Sequence, residues 1–259
     1  MTAVVFPADP LRPRRVDEHF RAEADAAREA GARVLLDSAP GAAEPAWYRG
    51  WMLTPERYAA LPFELCTTPD MYRRAHELPG WYPVFAAVTP ASVWLPPGAP
   101  LAGLPAAAAA LGDGPFVVKD YVKSRKHEWD SACFAPDAGR LPAVAATFAE
   151  RQEDFLAGNV VVRAFESFTG PEVRVWWLDG EPVLTGPHPD GPPEVPEPPL
   201  GHVAPLVREL GCRFVTTDLA LRADGVWRVV EVGDGQVSEL PSVADPAVLF
   251  AALVAAAGR

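Results

Sequence analysis

Apolar and polar positions in the first hundred residues alternate between strand and helix periods. The pattern predicts strands at 3–6 and 33–37, with a helix over 16–30 between them. This order indicates a βαβ unit. Two further helices are expected after Thr54 and Thr68, because each is an N-cap residue followed by proline at the first helical position.

Beyond an alanine-rich helix at 102–112, the pattern changes to mostly β. Strands are expected at 115–122, 130–135, 160–166, 172–178, 181–185, 213–221 and 226–232. Helices are expected at 141–156, 201–210 and 245–257. The segment 187–199 contains too much proline for either element, so it is predicted to be a stiff exposed loop.

Composition and charge narrow the class of protein. At 259 residues and 49% hydrophobic, the chain can bury a large core. The formal net charge of -11 argues against nucleic acid or an anionic membrane as a nonspecific partner. Three widely spaced cysteines fit neither a disulfide framework nor a zinc site, and no signal peptide or membrane span is evident. We therefore expect a soluble cytoplasmic protein, with an oligomeric state that the pattern does not indicate.

Lysine is confined to one short stretch of the chain. Lys119, Lys123 and Lys126 are its only lysines, whereas arginines are spread along its length. An ammonium group is a compact charge suited to a phosphate oxygen. A strand at 115–122 would project Lys119 and Lys123 from one face, where they repel each other unless an anion lies between them. The pattern favours a polyphosphate site, with a solvated loop as the alternative.

Two carboxylates are predicted to face each other across a hairpin. Asp224-Gly225 between two apolar runs is a two-residue turn signal, and this register places Asp218 opposite Glu231. Like charges so placed are destabilising and favour a shared cation such as Mg²⁺. Asp234, in the following G-D-G turn, is a candidate third ligand. A three-residue loop would instead slip the register and separate the pair.

The alternation on these two strands assigns one face to the core. That face is predicted to carry Val215, Leu219, Leu221, Val230 and Val232. The acids share the other face with Ala220, Trp227 and Val229, which favours a covered cleft over open water. On the strand at 172–178, Glu172, Arg174 and Trp176 share a face, so Glu172 is positioned to orient Arg174 or to bind an incoming amine.

Tyr48-Arg49-Gly50-Trp51 combines a fork-shaped cation with aromatic walls. Arg49 is therefore a candidate for binding the carboxylate of an acceptor substrate. The alternative is a packed aromatic corner with a surface arginine. His127 and Trp129, which follow the lysines, are candidates for covering phosphates or fixing the loop, although a lone histidine in a loop is more often structural.

From about residue 115 to 239, the order of these features resembles the ATP-grasp superfamily. The similarity is strongest to a bacterial and phage clade with three motifs, present here as Y-R-G-W-M-L, K-D-Y-V-K-S-R-K-H-E-W and E-V-G-D-G-Q-V-S. The resemblance implies a mixed α/β (α+β) fold in which two antiparallel β lobes hold ATP between them. It further implies a Rossmann-like pre-domain at 1–100 and an ATP-grasp domain at 101–259, with a small lobe at about 101–165 and a large lobe at about 166–259.

The resemblance also implies roles for particular residues. Lys119 would contact the α and β phosphates, and Arg174 the transferred phosphoryl group. The mobile loop over the phosphates would carry Lys123, Ser124 and Lys126. The hinge against adenine would comprise Arg163, Phe165 and Glu166, with Glu166 as a candidate for binding ribose or adenine. Magnesium would be held by Asp218 and Glu231. Many relatives have Asn where this chain has Gly233, so the resemblance leaves Asp234 to replace that ligand.

The implied activity is an ATP-dependent ligase that joins a small-molecule or peptide carboxylate to an amine through an acyl phosphate, with ATP and Mg²⁺ as cofactors. A kinase that stops after phosphorylating a small molecule would use the same residues. A nucleotide-binding module without catalysis is a third alternative, although such a module has little use for a paired metal site.

Overall fold

The structure is a computed structural model that describes residues 2–41, 44–241 and 243–257. The strands, numbered in chain order, are β1 Ala3–Phe6, β2 Ala8–Asp9, β3 Arg12–Val16, β4 Arg33–Leu36, β5 Ala46–Tyr48, β6 Ser92–Trp94, β7 Phe116–Lys119, β8 Phe134–Ala135, β9 Val161–Ala164, β10 Val173–Leu178, β11 Glu181–Pro187, β12 Phe214–Leu221 and β13 Trp227–Asp234. The α-helices are α1 Arg21–Glu29, α2 Pro55–Ala59, α3 Pro69–His76, α4 Leu78–Phe85, α5 Leu104–Ala108, α6 Leu141–Gln152, α7 Ala204–Leu210 and α8 Pro246–Ala256.

The N-terminal segment forms a three-stranded parallel sheet in the order β4-β1-β5. Helix α1 connects β1 to β4, as the sequence predicts for a βαβ unit. Thr54 and Thr68 cap α2 and α3, since each hydroxyl accepts a hydrogen bond from the backbone N–H three residues ahead. The description of residues 1–100 as a separate Rossmann-like pre-domain stays a prediction.

Two four-stranded antiparallel sheets follow, and they are the two lobes implied by the resemblance. One has the order β6-β9-β7-β8 and the other β11-β10-β12-β13. Phe116, Val118, Phe148 and Val162 lie in the core of the first sheet, between it and α6. None of the helices within the described segments is both long and apolar enough to cross a membrane.

The second sheet is covered on both faces. Trp177 and Leu219 pack with Trp81 and Phe85 of α4 on one face. On the other face, Trp176 packs in a cluster with residues of β1, α1 and α8. Burying one large apolar side chain contributes about 1.5–3 kcal/mol, so these layers hold the sheet rigidly beneath the site.

The predicted strand 115–122 is wrong at its C-terminal half. Strand β7 ends at Lys119, and the Asp120 side chain closes a turn by accepting hydrogen bonds from the N–H groups of Val122 (2.7 Å) and Lys123 (2.5 Å). Lys119 is consequently buried, whereas Lys123 is exposed beyond the turn. The two ammonium groups do not project from one strand face.

The strand predicted at 130–135 is also largely wrong. Residues 129–133 form a single π-helical turn, and only the two residues of β8 pair with β7. Helix α4 is absent from the prediction because Pro79, Gly80 and Pro83 indicate a loop. Burial of Leu78, Trp81 and Phe85 on one helical face outweighs those signals. The loop predicted at 187–199 is confirmed, with no regular element between Pro187 and Ala204.

The β12–β13 hairpin contains two irregularities that cancel. Its turn has three residues, with Arg222 donating to the carbonyl of Val226 (2.9 Å), so the predicted two-residue turn is wrong. A bulge at Val230 then restores the register, and Asp218 pairs with Glu231 as predicted.

The bulge also changes which residues of β13 face the core. Val229 pairs with Leu219, and Trp227 with Leu221. Val229 lies in the core, and Trp227 packs against it. The prediction that these two residues share a face with the acids is therefore wrong.

Candidate functional site

A cleft of about 430 Å³ lies between the lysine-bearing loop and the second sheet. Its size is that of a small-molecule site. The charged residues on its wall come from both lobes and include Lys123, Lys126, Arg174, Asp218 and Glu231, with the hydroxyl of Ser124 beside them.

Asp218 and Arg174 form a bidentate ion pair across β10 and β12. Nε and Nη2 of Arg174 donate to Oδ1 and Oδ2 of Asp218 at 2.7 and 2.8 Å. Both side chains are mostly buried, and a bidentate pair of this kind is among the strongest protein hydrogen bonds. Arg174 also donates to the carbonyl of Glu239 (3.2 Å). The predicted ion pair and the predicted cleft position of Arg174 are thus both present.

Lys119 is a buried cation without a close anionic partner. Its residue is 4% exposed, and its ammonium lies 3.7 Å from Oε1 of Glu231 and 3.4 Å from the carbonyl of Val122. Burial lowers the pKa of Lys119, because the charged form is poorly solvated there. Glu231 is half-exposed towards the cleft. The ammonium is therefore positioned to gain a further anion.

Arg163 is a second buried cation behind Lys119. Nη1 donates to the carbonyl of the bulge residue Val230 (2.5 Å), and Nε donates to the Ser92 hydroxyl (3.2 Å). Nη2 finds no hydrogen-bond partner among the described residues, and none of their carboxylates forms an ion pair with Arg163. Burial lowers its pKa too. Arg163 and Lys119 create positive potential at the rear of the cleft.

The lysine-bearing loop is tied to the second sheet by one ion pair. Nζ of Lys126 lies 2.9 Å from Oε1 of Glu172, and Lys126 is exposed. This contact keeps the loop over the cleft while leaving the lysine accessible. Glu172 thus contacts Lys126 and not Arg174, which its predicted orienting role requires.

The hinge residues after β9 have unequal surroundings. Phe165 is partly exposed and packs edge-on against Phe134, which stacks with Trp129 (centroids 5.3 Å apart, 15° between planes). This cluster offers a flat apolar surface to a ring. Glu166 is held by Arg228 at 2.9 Å from both carboxylate oxygens and also lies 3.3 Å from Arg222. Its charge is already balanced, which weakens the hypothesis that it binds ribose or adenine.

Arg49 has a structural environment. It is 1% exposed, and its Nε and Nη2 donate to the two oxygens of Glu23 at 2.6 and 3.0 Å. Nη1 donates to the carbonyl of Gln236 (3.0 Å), and the guanidinium lies over the Trp176 ring. The predicted contact with an acceptor carboxylate is not supported by this geometry, because the fork is occupied and lies outside the cleft wall.

Asp234 is buried beneath the cleft. It pairs with Val215, a core residue, so its side chain lies on the opposite face of the hairpin from Glu231. Oδ1 accepts from the N–H (2.9 Å) and Nε2 (3.1 Å) of Gln236, and Oδ2 has no partner among the described residues. This placement argues against the predicted role of Asp234 as a third metal ligand beside Asp218.

Two histidines at the cleft were missed by sequence reasoning. His76, at the end of α3, stacks on Tyr72, and burial lowers its pKa to about 4, so it is neutral. His188 lies 3.8 Å from Oδ2 of Asp218, and together with Glu172 the three residues offer ligand atoms within 4.8 Å of one another. Neither was detectable, since one lies in a helix and the other in a proline-rich loop.

Two antiparallel sheets that hold basic residues opposite an acid pair define the ATP-grasp fold. Residues 110–253 match the sequence model of an ATP-grasp domain, the third family of one clade within that superfamily. This match covers more than half of the chain, so the chain belongs to that family. No curated protein sequence matches it.

Solved structures share the fold over nearly the whole chain. The RimK domain protein ATP-grasp from Sphaerobacter thermophilus is 17% identical, with a TM-score of 0.65 over 97% of this chain and 98% of that one. D-cycloserine synthetase DcsG is 19% identical, with a TM-score of 0.64 and 98% of each chain covered. ATP-grasp ligase PsnB, complexed with minimal precursor, Mg and ADP, is 16% identical, with a TM-score of 0.59 over 100% and 98%.

We predict that Arg49→Met destabilises the fold, because it leaves the Glu23 carboxylate buried without its partner. The expected loss is about 3–5 kcal/mol of unfolding free energy, measured by urea denaturation. The Glu23→Leu/Arg49→Met double variant should recover most of it. A fully stable Arg49→Met protein with weakened substrate binding would instead restore the substrate-binding role.

Asp234 predicts a pH-dependent stability. Burial raises its pKa to about 7, so the folded protein holds this proton more tightly than the unfolded chain, where aspartate titrates near about 3.9. Its favourable contribution is therefore complete below about pH 4 and is lost as the pH rises through 7.

Asp234→Asn does not ionise and keeps an oxygen for Gln236. Relative to wild type, it should be more stable at pH 8 than at pH 5.5 by roughly 1–3 kcal/mol in urea denaturation. The exposed Asp113→Asn variant is the control, for which the difference from wild type should not vary with pH. An equally flat difference for Asp234→Asn would show that this carboxyl is ionised in the fold throughout.

Proposed function

We propose that the protein is an ATP-dependent carboxylate–amine ligase, which forms an amide or peptide bond through an acyl phosphate. One observation carries this proposal: two buried cations, Lys119 and Arg163, lie without close anions beside a cleft that also contains the Asp218–Glu231 pair. Positive groups that lack anions and carboxylates that lack a cation are the complement of a metal-bound polyphosphate.

The residues present fit Mg-ATP by their chemistry. Lys119 and Lys123 supply ammonium groups for phosphate oxygens, and Arg163 has an uncommitted N–H group. Asp218 and Glu231 would hold magnesium, since Arg174 uses only one lone pair on each Asp218 oxygen. When bound, magnesium neutralises charge on the phosphate oxygens. The ring cluster at Phe165 supplies an apolar surface for adenine.

In the first chemical step, an oxygen of the substrate carboxylate attacks the γ-phosphorus, and the bond to the ADP oxygen breaks. In the second step, the amine nitrogen attacks the acyl carbon, the bond to the phosphate oxygen breaks, and the nitrogen loses a proton. Lys119, Lys126 and Arg174 act by positioning and by neutralising charge, so the chemistry requires no enzyme nucleophile.

Lys126 and Glu172 are proposed to exchange partners during the reaction. When phosphates enter, the exposed Lys126 can leave Glu172 for a phosphate oxygen. The Glu172 carboxylate is then free to hold the ammonium of the incoming substrate. This exchange would couple loop closure to binding of the second substrate.

The substrates and location are part of the proposal. A small-molecule or peptide acceptor fits the cleft volume and agrees with the neighbours, since PsnB was solved with a minimal precursor. A cytoplasmic location agrees with the free thiols of Cys66, Cys133 and Cys212.

We expect ADP and a hydroxamate or amide when the protein is incubated with ATP, Mg²⁺, pooled amino acids or peptides, and hydroxylamine. Lys119→Met should reduce ADP formation by about 10²-fold or more, with no loss of stability, because methionine fills the space of an unsolvated charge. Glu231→Gln should lower ADP formation similarly, and the exposed Arg140→Met variant should not.

Other outcomes identify the alternatives. A stable phosphorylated acceptor without any amine requirement would indicate a kinase. ATP binding without turnover, unchanged in Glu231→Gln, would indicate a nucleotide-binding module. Either result, or the absence of both ADP and product across a broad acceptor panel, contradicts the ligase proposal.

A further inference from the structure

Two hydroxyl groups stand over Gly233, next to the acid pair. Thr216 is paired with Gly233 on the same hairpin as the Asp218–Glu231 pair, and both strands alternate so that these four residues share a face. Oγ1 of Thr216 lies 2.8 Å from Oγ of Ser238, and both residues belong to the cleft wall. The acid pair and the hydroxyl pair thus form one continuous set of oxygen atoms.

The hydroxyls occupy the space that a side chain at position 233 would need. A Cβ atom on Gly233 would lie 2.9 Å from Oγ1 of Thr216 and 3.3 Å from Oγ of Ser238, with nothing else as near. The first distance is too short for a real contact, so glycine at 233 and the hydroxyl pair require each other. Gly233 has an ordinary backbone conformation, which means that space and not strain accounts for the glycine.

The protons of both hydroxyls are already committed within the protein. Ser238 donates to the carbonyl of Asp234 (2.9 Å), which leaves Thr216 as the donor in the bond between the two hydroxyls. The pair therefore presents only lone pairs to the cleft. Lone pairs attract a cation and repel phosphate oxygens, so this arrangement is selective for positive charge.

We propose that Thr216 and Ser238 supply a neutral oxygen ligand to the divalent cation of the nucleotide, in the space that a side chain at 233 would otherwise fill. The inference rests on the proposed function, because it assumes a metal-bound nucleotide at Asp218 and Glu231. Hydroxyl oxygen is a hard ligand that suits Mg²⁺ and Mn²⁺. Asp234, which lies on the other face, contributes its backbone carbonyl to orient Ser238.

The test measures metal binding directly, with Mn²⁺ as the probe in the presence of saturating AMPPNP, followed by electron paramagnetic resonance. Thr216→Val/Ser238→Ala should raise the Kd for Mn²⁺ by about 10-fold or more, the size of effect typical when ligand support is removed from a metal site. AMPPNP binding in EDTA should stay within about twofold of wild type on the same reasoning. Thr185→Val removes an exposed hydroxyl from the same sheet and should change neither quantity.

A second set of variants tests the shared space. Gly233→Asn alone should weaken Mn²⁺ binding, because its Cβ displaces the Thr216 hydroxyl. In the Thr216→Ala/Ser238→Ala background the same substitution has room and adds a carbonyl oxygen, so it should restore much of the lost affinity. Recovery by an added side chain also excludes general unfolding as the cause of the loss.

The outcomes separate the two proposals. Failure of the wild-type protein to bind Mn²⁺ with AMPPNP overturns the proposed function itself. Normal wild-type binding with an unchanged Kd in the double variant overturns only the role of the hydroxyls. Equal losses of nucleotide affinity with and without metal would also overturn it, because the hydroxyls would then contact the nucleotide.

Discussion

A buried ammonium group is unfavourable unless an anion lies beside it, and the architecture of the cleft depends on this constraint at Lys119. The second buried cation, Arg163, increases the positive potential, and Glu231 alone lies too far away to neutralise both. The sheets can bury these groups only because apolar layers on both sides hold them in place. The resulting imbalance of charge disfavours the empty site and favours a polyanion, which is how a fold uses part of its stability for binding.

The balanced ion pairs around the cleft make that imbalance specific. Arg49 with Glu23, Glu166 with Arg228, and Arg174 with Asp218 are each matched with two short hydrogen bonds. These pairs connect the N-terminal sheet, the hinge and the large sheet without leaving net charge behind. The uncompensated cations are therefore confined to the rear of the cleft.

Local signals in the sequence predicted part of this site well. The acid pair follows from two apolar strands around one turn, and the caps at Thr54 and Thr68 follow from local hydrogen bonding. The turn at Asp120 was hidden because one side-chain oxygen replaces ladder hydrogen bonds in a segment with strand composition. Arg49 looked like a substrate contact because its partner, Glu23, lies on another element. Contacts between distant segments decide whether a charged group is free, and single-sequence patterns do not contain them.

The tip of the β12–β13 hairpin and the buried guanidinium of Arg163 are linked through strand geometry. The extra residue in the turn and the extra residue at Val230 offset each other, much as two insertions restore a reading frame. The second one turns the Val230 carbonyl out of the ladder and gives Arg163 its acceptor. A relative that closed this hairpin with two residues would keep the acids aligned without the bulge and would need another acceptor for the arginine. Loop length at an exposed tip and the solvation of a deeply buried cation are therefore inherited together.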